Sequence, residues 1–212
     1  MNMKINKGIW FVIALSIVGT FVIYPSLPEQ IPVHWNVKGE IDRYSDKWFA
    51  IVTASFPILF AALMIFLPKI DPRRDSYQKH QKAYVIFMNV LLVFFVLLHW
   101  VTVGVSLGYE INVGLFIGSA VGVLFIVIGN YMGQIRHNYF FGIRTPWTLA
   151  NEQVWFKTHR RGGWIFIIAG ILFIINGFTG NETLIIGSLI FLFTSIAYIT
   201  VYSYLEFRKI EK

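Results

Sequence analysis

The chain contains no cysteine. Disulfides, thiolate-ligated zinc and a thiol nucleophile are therefore excluded. It is also short of charge: charged residues make up 14% of its 212 residues, where a soluble domain carries about 25%. So few charges cannot cover a 24.5 kDa globule, and much of the exterior must face something other than water. A soluble enzyme, a disordered chain and a nucleic-acid-binding domain are excluded on that ground. Acids are scarcer than bases, 11 Asp and Glu against 18 Lys and Arg, giving a net charge of +7 and a pI near 9.6. No HExxH, GxSxG or phosphate-loop string occurs.

What is present is apolar. Hydrophobic residues reach 56%, aromatics 17% and the mean hydropathy is +0.62. Six windows lack Asp, Glu, Lys and Arg altogether: 8–28, 48–68, 83–109, 111–135, 162–181 and 183–205. Each is at least 20 residues long, enough for a helix to cross a hydrocarbon core of about 30 Å. The runs are continuously apolar rather than alternating, so helices and not barrel strands are expected. The first is no cleaved signal peptide, because Tyr24-Pro25-Ser26-Leu27-Pro28 follows it with no small-x-small site.

The flanking cations set the orientation. With the N-terminus inside, inner segments hold fifteen of the 18 Lys and Arg, while the outer ones hold only Lys38, Arg43 and Lys47. The expected fold is thus an all-α membrane protein of six transmembrane helices forming one polytopic domain over 1–212, with both termini cytoplasmic. It has one long outer loop, 25–48, and two inner loops, 68–83 and 131–161. The basic balance is a topology signal and needs no nucleic acid. Helices 1–3 and 4–6 run in opposite senses, each half with its long loop after the first helix, as in an inverted repeat.

Two loops carry candidate sites. In the outer one, Pro25, Pro28 and Pro32 stiffen an extended run that presents His34 and Trp35 ahead of a turn at Asn36-Val37-Lys38-Gly39. It reads either as an interfacial loop anchored by Trp35, Tyr44 and Trp48 or as a rigid surface for an apolar or amphipathic ligand. Its excess of acids suits a cationic partner. In the inner loop, aromatics surround Arg144, and Thr148 is placed to N-cap a short helix with Asn151 and Glu152 in its first turn and Trp155 and His159 on one face. That helix reads as an interfacial one meeting anionic lipid, as a docking surface for a cytoplasmic protein, or, with Glu152 and His159 as an acid–base pair, as a catalytic one that lacks any nucleophile. Inside the membrane, His99 is the ionisable side chain in a central apolar stretch, with Asn89, Asn130 and Asn176 as amides. Such groups mark functional paths or hydrogen-bond neighbouring helices. His34 and His99 could meet on the outer side, but two His are a weak metal signal, and no metal or cofactor is expected. Gly114, Gly118 and Gly122 read as a close-packing stripe.

The inner string NYFFGIRTPWTLANEQVWFKTHRRGG resembles the signature of the SdpI-like immunity proteins through Asn138, Gly142, Arg144, Thr145, Pro146, Trp147, Thr148, Leu149, Val154, Trp155, His159 and Arg160, with Gly129-Asn130 upstream. The outer string LPEQIPVHWNVKGEIDRYSDK resembles the domain of unknown function that accompanies them. The resemblance implies a multi-pass cell-membrane protein of Gram-positive bacteria that protects against a secreted, membrane-active peptide toxin. It further implies, as in the best-known member, relay of toxin binding to a cytoplasmic autorepressor. It implies no enzymatic activity. On this reading Pro28, Pro32, His34, Trp35 and His99 are the toxin-binding candidates, and Asn130, Asn138, Gly142, Arg144, Thr145, Pro146, Trp147, Trp155, His159 and Arg160 the cytoplasmic docking candidates. The alternatives are a transporter or flippase using His99 and the midplane asparagines, and an intramembrane enzyme using His34, His99 and Glu152.

Overall fold

A computed structural model of the chain describes residues 5–36 and 39–211. Lys4, Lys38 and Lys212 of the cation count, and Val37 and Lys38 of the expected turn, lie outside the described residues. Among these, six helices are long and apolar enough to cross a membrane: α1 (Lys7–Ile23), α2 (Phe49–Ile70), α4 (Gln81–Ser106), α5 (Val113–Met132), α7 (Glu152–Thr179) and α8 (Glu182–Ile210). Two short helices, α3 (Ser76–Lys79) and α6 (Pro146–Ala150), lie in the inner loops. The chain is a multi-pass α-helical membrane protein.

The helices group by halves. α1, α2 and α4 pack around Ile13, Ala61, Met64, Tyr84, Met88 and Leu92. In the other half α5, α7 and α8 pack together, and α4 meets α5 between the halves. α5 and α7 approach to backbone contact: a Cβ on Gly118 would lie 2.8 Å from the Gly177 Cα, and one on Gly122 would lie 2.5 Å from the Gly170 carbonyl. Gly129 faces the Gly163 carbonyl in the same way. Without a hydrophobic drive between helices in lipid, such close approach supplies the packing. The stripe therefore runs through Gly118, Gly122 and Gly129. At its outer end the Gly114 carbonyl would lie 3.4 Å from a Cβ on Gly177, while a Cβ on Gly114 itself would meet Asn112 Oδ1 at 3.6 Å.

The outer loop is more ordered than prolines and a turn alone suggest. It forms an antiparallel hairpin of β1 (Gln30–Trp35) and β2 (Ile41–Asp46), with Ile31 opposite Ser45 and Trp35 opposite Ile41. Pro32 sits inside β1, tolerable because a two-stranded ribbon leaves one side of each strand unpaired; the register is irregular on either side of His34. Leu27 and Ile31 bury against Ala50 of α2 and Val103 of α4, fixing the hairpin over the outer helix ends. Tyr44 and Trp48 stay exposed, as interfacial anchors do.

The inner loop differs from its expected capping. Thr145, not Thr148, is the N-cap of α6; its hydroxyl accepts from Thr148 N–H while the Thr148 hydroxyl accepts from Thr145 N–H, a reciprocal box. Asn151 caps a different helix, accepting from Gln153 and Val154 N–H at the start of α7. That helix runs unbroken through Lys157, Arg160 and Arg161 into the membrane, so there is no separate interfacial helix. Its start lies ten residues before the charge-free window, because a helix continuing into water can carry charge without cost.

Candidate functional site

The hairpin roofs a cavity of about 900 Å³ at the outer end of the helices. Its upper wall carries His34, Trp35 and Asn36, and its deeper walls are aromatic, with Phe49 and Phe56 from α2, Phe94 and Phe95 from α4, and Phe173 from α7. The Phe60 and Phe95 rings stack at 4.3 Å, and Phe56 meets Phe95 edge-on at 6.0 Å. Polar groups in these walls are few and point-like: His99, Thr53, Thr102, Asn112, Asn176 and Thr179. An apolar hollow of this size with a handful of placed polar groups is the form ligand sites take.

His99 is held from two sides. Its Nε2 lies 2.8 Å from the Thr20 hydroxyl of α1 and its Nδ1 2.9 Å from the Thr53 hydroxyl of α2. Each hydroxyl also reaches a carbonyl of its own helix, Thr20 that of Ser16 at 2.7 Å and Thr53 that of Ala50 at 3.1 Å, and a neutral ring donates to one hydroxyl and accepts from the other. One imidazole thus ties three helices together at the cavity. Pro57, a turn beyond Thr53 inside α2, cannot donate to the Thr53 carbonyl, which loosens the helix at this level.

Of the five outer candidates, His34, Trp35 and His99 line this one cavity; Pro28 and Pro32 do not and act only through the hairpin they stiffen. His34 contacts Asp42 across the hairpin at 2.5 Å, and the described residues contain no group of three or more His or acidic side chains placed to hold a metal.

At the opposite end the inner segments close on one another. Asp71, after α2, is 2% exposed. Its Oδ1 accepts from Arg73 N–H at 2.7 Å, and its Oδ2 accepts from Tyr77 O–H at 3.0 Å and Tyr139 N–H at 2.9 Å. Tyr77 also reaches Asn138 Oδ1 at 3.1 Å, while Asn138 Nδ2 donates to the Arg136 and Phe141 carbonyls. Phe141 enters the first bundle against His80, Tyr84 and Phe87. The loop that follows α5 is therefore clasped to the loop that follows α2, joining the two halves.

Three imidazoles sit in this clasp as neutral acceptors. His159 Nε2 accepts from Ile143 N–H at 2.9 Å while its Nδ1 donates to the Trp155 carbonyl at 2.8 Å. His137 Nδ1 accepts from Arg73 and His80 Nδ1 from Arg136 N–H. Burial, then the Arg136 guanidinium, pushes the His80 pKa down to about 4; burial, then Arg73, lowers that of His137. Burial, then the Asp71 carboxylate, raises the Tyr77 phenol well above its usual range. Trp155 lies between His137 and His159, stacked at 5.0 and 4.0 Å, and donates Nε1–H to the Ile135 carbonyl at 2.8 Å.

This corrects part of the docking set. Asn138, Thr145, Trp155 and His159 are buried, so no partner can touch them while the clasp is closed. Glu152 with His159 is no acid–base pair, since both imidazole nitrogens are already engaged. Gly142 stands at φ +114° against the His159 ring, where any side chain would collide. Asn130, Arg144, Pro146 and Arg160 are exposed and Trp147 is half-buried. Arg144 donates to the Tyr139 carbonyl at 3.0 Å. Unforeseen from the sequence are Asp71, Tyr77, His80 and His137. The Ile70-Asp71-Pro72 string, an acid between Lys69 and Arg73 beside a turn-forming proline, is the one local signal for them.

A hairpin-roofed outer cavity and a clasped inner loop on six membrane-length helices describe a small multi-pass membrane protein, and both ends of the chain resemble known proteins. Residues 134–203 match the SdpI/YfhL protein family and residues 11–67 match a domain of unknown function (DUF1648). Over 211 residues, 98% of this chain and 98% of the relative, it is 29% identical to the "Immunity protein SdpI" of Bacillus subtilis (strain 168). No solved structure matches. The chain is a multi-pass protein of the cell membrane; the DUF1648 match holds the whole outer hairpin, and the SdpI/YfhL match holds the part of the inner clasp that follows α5, from residue 134 on.

Proposed function

We propose that the protein is a membrane immunity protein: it protects its cell from a secreted, membrane-active peptide by capturing an apolar segment of that peptide in the outer cavity. The observation that carries this reading is the cavity itself, whose Phe-rich walls and Trp35 roof suit an apolar or aromatic side-chain cluster. Likeness to an immunity protein over almost the whole chain supports it. The hairpin sets the preferred charge: Lys47 is taken by Glu29 at 2.7 Å, leaving Glu40, Asp42 and Asp46 against Lys38 and Arg43, so a cationic peptide is favoured. Binding is non-catalytic. It shifts the packing of α1, α2 and α4 around His99, and α4 carries that shift to Tyr84 and Phe141 at the clasp, about 22 Å away along the helix. The exposed face around Arg144 and Trp147 then presents a changed surface to a cytoplasmic repressor.

The test is expression in a toxin-sensitive strain with a titrated peptide challenge. Trp35→Ala should lower protection while surface expression stays normal, because a large rigid aromatic at a pocket mouth dominates contact energy. Equal protection by wild type and Trp35→Ala across the titration removes the cavity as receptor. A transport reading is favoured by one feature, His99 at membrane depth beside the cavity. It requires protection to vanish when the proton gradient is collapsed, whereas capture survives.

A further inference from the structure

A second hollow lies at the other end of the molecule, where α7 and α8 leave the cation-rich side of the membrane. It measures about 420 Å³ and is lined by Lys157, Arg160, Arg161, Trp164, Tyr202 and Glu206. Three cations face one carboxylate, and that carboxylate is occupied. Glu206, 5% exposed, accepts from Lys157 Nζ at 2.7 Å and from Lys209 Nζ at 2.6 Å. Its charge is cancelled, and in return it fixes the Lys157 ammonium at the rim. Arg161 is held by donating to Tyr198 O–H at 3.0 Å and by lying 5.1 Å over the Tyr202 ring. That leaves most of its five donors turned outward. Arg160 is exposed, and among the described residues it makes no hydrogen bond or ion pair.

The groove also has an apolar edge. Trp164, one turn further along α7, is 65% exposed, and Ile168 continues the same exposed line at 46%. Both fall inside the charge-free window that begins at 162, so this edge faces acyl chains. A fork of guanidiniums just outside the hydrocarbon, an indole at its boundary and an apolar strip beyond it match an amphiphile: an anionic head with a hydrocarbon tail.

We propose that this α7–α8 groove is a binding site for an anionic phospholipid, with Arg160 and Arg161 holding the headgroup phosphate and Trp164 lying at the acyl boundary. A free phosphate would use the same two arginines but gain nothing from Trp164 and Ile168, and the exposed apolar line is what favours the lipid.

The test uses the full-length protein in phosphatidylcholine vesicles containing a minority of spin-labelled phosphatidylglycerol, and reads the fraction of label immobilised by the protein relative to labelled phosphatidylcholine. Wild type should prefer phosphatidylglycerol. Arg160→Gln, which breaks no internal bond and leaves folding intact, should lower that preference about fivefold, and Arg160→Gln with Arg161→Gln should abolish most of it. Lys69→Gln with Arg74→Gln removes the same charge from exposed positions at that end and should change it little. Equal losses in the two double variants would mean a diffuse surface potential and overturn the site. Displacement of the lipid by inorganic phosphate, to the extent that removing both arginines achieves, would reassign the groove to a soluble anion and overturn the lipid assignment. Trp164→Ala should weaken retention of the lipid without altering any phosphate effect; no change there also counts against a lipid.

Discussion

Asp71 is the most exacting place to test the inner clasp. Its carboxylate receives three hydrogen bonds, from Arg73 N–H, Tyr77 O–H and Tyr139 N–H, with no water to replace them at 2% exposure. Hydrogen bonds to a charged acceptor are worth about 1.5–3 kcal/mol each, and a buried donor left unpaired costs about 1–3 kcal/mol. In Asp71→Ala, Tyr77 can still turn to Asn138 Oδ1, 3.1 Å away, so the loss centres on the Tyr139 and Arg73 amides and comes to about 3–5 kcal/mol. Asp71→Asn keeps the shape. If its oxygen serves Tyr77 and Tyr139, its amide nitrogen faces the Arg73 N–H, donor against donor, at a cost of about 1–3 kcal/mol.

Thermal unfolding in lipid nanodiscs, followed by tryptophan fluorescence, reads this order directly. On the scale of about 2–4 °C per kcal/mol for a chain of this length, Asp71→Ala should melt about 10 °C below wild type, with Asp71→Asn between them. Asn138→Ala should couple to it, because both residues share the Tyr77 hydroxyl. If Asp71→Ala melts within about 2 °C of wild type, or if its effect simply adds to that of Asn138→Ala, the clasp is not what joins the two halves.

Three further outcomes are expected. Gly122→Val should destabilise by about 1–3 kcal/mol, since its Cβ would meet the Gly170 carbonyl at 2.5 Å and backbone cannot yield; Gly187→Ala, with nothing within 4 Å, is the neutral control. The His80 pKa, about 4 against an ordinary 6.5, means the folded chain binds that proton less readily than the unfolded one. Its stability is therefore full above about pH 6.5 and falls as pH drops toward 4, by about 3 kcal/mol in all, and His80→Asn should flatten that part of the melting profile; superimposable profiles contradict it. Single cysteines placed at Arg43 and Glu182 should react with an impermeant reagent in intact cells, and those at Arg74 and Arg144 should not; labelling at 144 reverses the orientation.

The spans were readable because lipid imposes a rule that acts residue by residue: a charge inside the core is costly, so its absence over 20 residues is itself a signal. That rule stops at the membrane surface, which is why the start of α7 was misplaced. Lys157, Arg160 and Arg161 break the apolar window but not the helix, since all three line the α7–α8 groove while Trp155 and His159 turn to the buried clasp. The outer cavity was half legible. His34, Trp35 and His99 stood out as polar or aromatic groups in unusual settings. The phenylalanines around them did not, being indistinguishable in sequence from those facing lipid. The clasp was least legible. Asp71 and Tyr139 are 68 residues apart, and nothing local in either loop tells which other loop it will meet.

The two ends of the molecule also differ in how freely their walls can move, and this limits how one could inform the other. α5 and α7 touch backbone to backbone at Gly118, Gly122 and Gly129, with Ile126, Ile167 and Ile174 packed beside the contact. A contact of that kind is either kept or broken, and breaking it exposes peptide groups to lipid. The first bundle is joined differently. α1, α2 and α4 meet through the Thr20–His99–Thr53 bridge and through Trp100, whose indole donates to Ser16 at 2.8 Å, and α2 is already loosened at Pro57. Those side chains can exchange partners without opening the backbone. A ligand that widens the outer cavity therefore has one easy course, displacing α2 and α4 against a fixed α5–α7 seam. α4 is the helix whose inner end packs Tyr84 and Phe87 against Phe141, so the movable wall of the cavity and the hold on the inner loop belong to the same rod.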